Sequence, residues 1–223
     1  NNQSDTGVGS DKFIRSVGPE ETVSWWDTGW QYRKTLTINA DLVGANSVPK
    51  DNSDLVDMPV LLSFTDTEIT GNAQSSGSDI AITLRGTSTQ LDHEIVSFNS
   101  STGEIIAWVK IPAISSSVDT NVDIYYGKSS ASDQQNVDGT WSNGYVGVWH
   151  LEEDAQGITD GYKDSSPYHN DGTGGPLVVS GPPTQIAGKI GKGQDFIDHL
   201  IDTGTDSSLD ITGKAITLDA WIK

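Results

Sequence analysis

Tyr32-Arg33-Lys34-Thr35-Leu36-Thr37-Ile38-Asn39 is the stretch whose reading decides the fold class. Tyr32, Lys34, Leu36 and Ile38 alternate with Arg33, Thr35, Thr37 and Asn39, so each set lines one face of an extended strand. Aromatic and β-branched residues dominate it, as a half-buried pleated surface favours. The same signature returns at short intervals along the chain. Residues 57–64 read as a buried strand with Pro59 near its start, where a missing N–H is tolerated. Residues 79–84 and 91–98 alternate again. Residues 104–111 follow, closed by Pro112, and then residues 121–126, closed by Gly127. Ser100-Ser101-Thr102-Gly103 reads as a hairpin loop with Gly103 in the positive-φ slot. No segment has the period of a convincing helix. Short strands separated by polar turns predict an all-β fold, an antiparallel sandwich or barrel.

Composition agrees and sets limits. Seven Trp and six Tyr are too many for a disordered chain, so the protein folds. Net charge is −18, from 31 acidic and 13 basic residues, which repels nucleic-acid phosphates and anionic membrane surfaces. Two readings of the acidic loops stand side by side: solubility in a salty medium, or calcium binding by carboxylates and carbonyls. There is no Cys, hence no disulfide and no thiolate metal site. No apolar run reaches the ~20 residues that span a bilayer, and no signal peptide is visible, so Asn1 reads as a mature or trimmed start.

The chain divides into three parts on this reading. Residues 1–24 are polar and form either a flexible leader or a pairing strand around Lys12-Phe13-Ile14-Arg15-Ser16-Val17. Residues 25–144 are the sandwich, ending in a linker-like stretch, 128–144, around the single Trp141. Residues 145–223 open a new pattern. It has strands expected at 145–151, 194–202 and 215–223 and a Gly- and Pro-rich stretch at 153–185.

Ordered motifs then point to known families. Residues 25–144 closely resemble the bacterial and archaeal surface module called domain of unknown function 2341. The resemblance rests on Trp30-Gln31-Tyr32-Arg33-Lys34, Met58-Pro59-Val60-Leu61, Ser78-Asp79-Ile80, Glu94-Ile95, Trp108-Val109-Lys110-Ile111-Pro112 and Ile124-Tyr125-Tyr126-Gly127. That family has no assigned catalytic residues, so none carries over. Residues 145–223 resemble the first half of a LamG-like, concanavalin A-type jelly roll. The matching pieces are Val148-Trp149-His150-Leu151, Asp164-Ser165-Ser166 with Asn170-Asp171-Gly172, Gly188-Lys189-Ile190-Gly191, and Leu209-Asp210-Ile211-Thr212 with the run 216–223. The resemblance implies an incomplete jelly roll with an open β-layer. Such a layer is expected to be covered by further strands of its own chain or by a strand from another.

Candidate site residues follow from residue type. Trp25, Trp26, Trp30 and Tyr32 form either a sugar-stacking platform or a packed end to the sandwich. By resemblance to LamG-like domains, which often hold calcium in loops, Asp160, Asp164, Asn170 and Asp171 are the candidate calcium ligands, although calcium wants six to eight oxygens. His150-Leu151-Glu152-Glu153-Asp154 lacks the second His of a zinc-protease helix. His93, His169 and His199 have no partner at ligand spacing and read as structural or solvent-facing. Glu94, Glu104, Glu152 and Glu153 supply acids for glycoside chemistry, but nothing singles out a pair. Residues 188–193 lack the order of a phosphate loop, and Asn99-Ser100-Ser101 fits a glycosylation acceptor on a hairpin tip.

The expectation is a non-catalytic, extracellular or cell-surface module for adhesion or glycan recognition. It would have glycans or surface proteins as partners and no nucleic-acid binding or membrane insertion. The alternatives are a structural subunit of a filament or surface layer that self-associates through open strand edges, and an accessory region of a carbohydrate-active enzyme.

Overall fold

The structure, a computed structural model, describes residues 14–16, 25–44, 52–155, 158–176 and 181–222. Seven strands lead the order: β1 (Ile14–Ser16), β2 (Tyr32–Ile38), β3 (Leu55–Thr65), β4 (Ala81–Leu84), β5 (His93–Asn99), β6 (Glu104–Ile114) and β7 (Thr120–Tyr126). They form two sheets, β1-β2-β7-β4 and β3-β6-β5, with every pairing antiparallel. The chain crosses from one sheet to the other after β2, β3, β4 and β6, and β5 and β6 form a hairpin. The all-β sandwich expected from the alternation is what the chain forms.

The period of two places the core. Leu36 and Ile38 of β2, Val122 and Ile124 of β7 and Ile82 of β4 meet Leu62 of β3 and Ile105, Val109 and Ile111 of β6 between the sheets. All are buried, and each fully buried side chain of this size contributes roughly 1.5–3 kcal/mol. Pro59 is tolerated because β3 has a neighbour on one side only. The strand expected to stop at Pro112 instead runs through it to Ile114. Pro112 has no N–H to give, and the rung opposite it is skipped. Val56 pairs with Ala113 and Met58 with Ile111, while Asp57 turns to φ 50.

The stretch 128–144 is exposed over about half of its residues. It contains one helical turn, α1 (Val137–Thr140), capped by Asn136, whose side chain accepts from the Gly139 N–H at 3.2 Å. Thr140 and Trp141 after it are buried, because Trp141 seats on the outer face of β6 against Trp108.

Residues 145–222 carry two separate antiparallel ribbons. β8 (Thr173–Pro176) pairs with β11 (His199–Asp202), and β9 (Thr184–Ala187) pairs with β10 (Lys192–Asp195). The strand expected at 145–151 is irregular and touches the sheet pattern at one bridge, Trp149 with Asp164. Residues 215–222 form no strand, contrary to their alternating pattern. Among the described residues they have no ladder partner, and the pattern leaves Leu218 85% and Ile222 92% exposed. A strand needs a neighbour to take its backbone hydrogen bonds. Residue 223 and most of the 1–24 leader lie outside the described residues, although Ile14–Ser16 pair with β2. Among the described residues no helix is long and apolar enough to cross a membrane.

Candidate functional site: an aromatic face and a buried carboxylate

The turn at Asp27-Thr28-Gly29 folds the Trp-rich segment back over the sandwich. The Asp27 carboxylate accepts the Gly29 N–H at 2.7 Å, and its carbonyl accepts the Trp30 N–H at 3.3 Å. Trp25 then meets Tyr125 edge-on at 5.5 Å, and Trp26 lies 6.0 Å from Trp30 and 5.8 Å from Tyr125. The Tyr125 hydroxyl accepts the Trp26 N–H at 3.1 Å, and Trp26 Nε1 donates to the Ser88 carbonyl at 3.2 Å. Arg33, the cross-strand partner of Tyr125, lies 5.3 Å from the Trp25 ring centre. Lys128 sits 5.4 Å from the Trp30 ring and bonds Asp27 at 2.8 Å, which holds the Asp27 carboxyl below its ordinary range.

Strand alternation separates the four aromatic candidates. Trp25, Trp26 and Trp30 gather on the outer face of the β1-β2-β7-β4 sheet. Tyr32 precedes Arg33 by one residue, points to the opposite face, and stacks on Tyr126 at 5.2 Å and 12°. Trp30 is buried; Trp25 at 40% and Tyr32 at 37% keep solvent-facing surface.

The other sheet carries a site that residue type alone had left undistinguished. Glu94 points outward from β5 opposite Trp108 of β6, yet it is buried. Its Oε2 accepts Trp141 Nε1–H at 2.6 Å and lies 3.0 Å from His150 Nε2, and its Oε1 accepts the Ser165 hydroxyl at 2.6 Å. Trp108 and Trp141 meet at 5.3 Å, His150 stacks over Trp108 at 6.4 Å, and Tyr145 closes on Trp141 at 5.1 Å. Burial pushes the Glu94 carboxyl up. The bond and charge of His150, then the Ser165 and Trp141 donors, outweigh it and hold Glu94 below the usual carboxylate range.

An open cleft of about 260 Å³ adjoins this junction, lined by Glu94, Val96, His150, Glu152, Glu153, Lys163 and Ser165. Glu152 and Glu153 each have one oxygen engaged, while Glu153 Oε2 is buried without a partner among the described residues. Glu152 Oε1 accepts the Lys192 N–H at 2.9 Å, and Glu153 Oε1 accepts the Lys163 N–H at 2.9 Å. Ser165 and His150 both bond the Glu94 carboxylate, one on each oxygen. Glu104 stands apart at the start of β6, paired with Asn99 and Thr65.

Of the four calcium candidates, Asp160, Asp164 and Asp171 have carboxylate oxygens that accept hydrogen bonds. Asp164 is buried and accepts Val148 N–H at 2.7 Å, Ser166 N–H and hydroxyl at 2.9 and 2.8 Å, and Asn170 N–H at 2.9 Å. Asp171 accepts the Asp164 N–H at 2.9 Å and pairs with Lys163. Asn170 Nδ2 donates to Ser208 Oγ at 2.9 Å, and the Asn170 backbone carbonyl accepts Trp149 Nε1–H at 3.0 Å. Asp160 contacts Thr173. Among the described residues no group of three or more His, Asp or Glu side chains is arranged to hold a metal.

The histidines divide. His93 is buried in the core with Nδ1 3.1 Å from the Leu91 carbonyl and Nε2 3.1 Å from the Ile80 carbonyl. His169 makes an exposed pair with Asp138 at 3.3 Å, and His199 bonds the Gly181 carbonyl at 3.0 Å.

Glu94, Trp141 and Ser165 were not selected together by sequence reasoning. Two signals pointed there: a lone Trp in a polar stretch, and Trp108 on the polar parity of its strand. Each marks a covered face.

No curated protein and no solved structure matches the chain. Residues 76–157, which include Glu94, Trp108, Trp141 and His150 and reach past the expected boundary at 144, match the family described as Domain of unknown function (DUF2341).

Proposed function

We propose that this chain is a non-catalytic, exported cell-surface module that works by adhesion or glycan recognition. The observation that carries the reading is Trp25. It is held on an outer sheet face by Tyr125, flanked by Arg33, and keeps 40% of its surface open. A rigid aromatic ring beside a fixed donor suits the apolar face and hydroxyls of a sugar. The engagement of Glu94 and His150 in the hydrogen bonds of the junction supports binding over catalysis. Residues 145–222 belong, on this reading, to a LamG-like, concanavalin-type lobe, with calcium proposed for the loop region that carries Asp160, Asp164, Asn170 and Asp171. Glycan-array binding of the wild type and Trp25→Ala, with and without a calcium chelator, tests it. Expected is a set of sugars whose binding falls roughly tenfold, the equivalent of about 1.4 kcal/mol, in Trp25→Ala. A flat array under both conditions would sink recognition.

A second reading has its own observation. Ile216, Leu218, Trp221 and Ile222 are exposed on a segment with strand patterning and no ladder partner among the described residues. That favours a structural subunit of a filament or surface layer completed by strand addition. Light scattering over a concentration series checks it: growth of the assembled species is expected, and a monomer at every concentration removes the option.

A further inference from the structure

We propose that Glu94 is an acid-released latch: ionised, it fastens residues 145–176 to the outer face of the β3-β6-β5 sheet, and protonated, it loosens them. The sandwich side of the junction is Glu94 on β5 and Trp108 on β6. The donors come from three other stretches: Trp141 after α1, His150 from the irregular 145–151 segment and Ser165 from the following loop. Ser165 is itself fixed to the same segment, its N–H donating to the Val148 carbonyl at 2.8 Å. Asp164 beside it gathers the N–H groups of Val148, Ser166 and Asn170. One carboxylate therefore holds a loop network that is already internally organised.

The chemistry makes the charge matter. Hydrogen bonds to an ionised carboxylate are roughly twice as strong as neutral ones. A proton on Oε2 would face the Trp141 N–H, which can only donate. A proton on Oε1 can turn to the Ser165 hydroxyl, so the junction weakens rather than shatters.

The other charged groups around Glu94 are accounted for. His150, Glu152 and Glu153 come from the segment after 145, and Lys163 from the loop before Ser165. On its own strand, His93 turns into the core. On β6, Lys110 is engaged with Asp92 at 3.2 Å and with Ser142 Oγ at 2.8 Å. A second ion pair across the junction, His169 with Asp138, is exposed and screened by solvent. Because the Glu94 pKa is depressed, the latch contribution is complete above the ordinary carboxylate value of 4.5. It is lost as pH falls through the lower folded value.

Hydrogen-exchange mass spectrometry on the whole chain tests this. Glu94→Gln mimics the protonated acid. At neutral pH it should speed exchange of amides in 145–176 about tenfold, the loss of one charge-assisted increment, with β2, β6 and β7 unchanged. Ser165→Ala, which leaves the sandwich untouched, should speed the same amides by a smaller factor and serves if Glu94→Gln fails to fold. In the wild type, protection of 145–176, corrected for intrinsic rate, should fall with pH below 4.5 before the sandwich does. The proposal is overturned if 145–176 keeps wild-type protection in the variants, or if those amides and the sandwich lose protection together.

Discussion

Replacing Gly103 by Ala measures how closely the β5–β6 hairpin seats against the end of β3. Gly103 has φ 74, and a Cβ built on it would stand 1.9 Å from the Asp66 carbonyl oxygen and 2.6 Å from its carbon. These are backbone atoms, and they cannot swing aside. The Asp66 N–H donates back to the Gly103 carbonyl at 3.0 Å, and the Asp66 carboxylate is tied to Lys34 and to the Glu68 N–H. Two costs add. A non-glycine residue in the left-handed region costs about 1–2 kcal/mol, and forcing packed groups apart costs about 1–3 kcal/mol more. Gly71 separates them. It has the same φ, 74, with nothing within 4 Å of its would-be Cβ. Gly71→Ala should therefore lose only the first cost, while Gly103→Ala should lose about 2–5 kcal/mol. Urea midpoints at equal m-value read the difference. Equal losses for the two variants would refute the close approach of hairpin and β3.

Two further outcomes follow from buried polar groups. Burial lowers the His93 pKa below 6.5 despite its two carbonyl neighbours. The unfolded chain then binds the proton more readily, so the stability from neutral His93 is complete above 6.5 and declines as pH falls toward the lower folded value. Two-dimensional NMR should find the His93 ring still neutral at pH 6.5, and a His93 midpoint at or above that value would contradict it. Asp164→Asn should turn an amide toward donors that the carboxylate now accepts. It should cost about 1–3 kcal/mol for each buried group left unpaired, and should open 145–172 to protease. An unchanged melting temperature and cleavage pattern would refute that role.

The sandwich was legible because each sheet buries one face, and one-sided burial writes a period of two into 32–39, 79–84 and 104–111. The inner residues Ile105, Ala107, Val109 and Ile111 are the ones the alternation selects. The junction was less legible. Glu94 stands on the outward parity of its strand, where a charged residue ordinarily meets water, and no local pattern states that chain some 50 to 70 residues further on will cover it. Asp160, Asp164, Asn170 and Asp171 have the oxygens calcium would use. Three of them serve mainly to receive or support N–H donors, a use that composition cannot distinguish from metal binding. The pattern of 215–222 reads as a strand and the chain forms none there, because pairing depends on a neighbour, which local sequence does not specify.

A glycoside-hydrolysis screen tests most directly the claim that this chain binds rather than reacts. The wild type, Glu94→Gln and Glu152→Gln should be equally without turnover across α- and β-linked substrates, because the carboxylates of Glu94 and Glu152 are spent on holding the lobe together. Turnover by the wild type that disappears in a folded Glu94→Gln or Glu152→Gln would contradict the account.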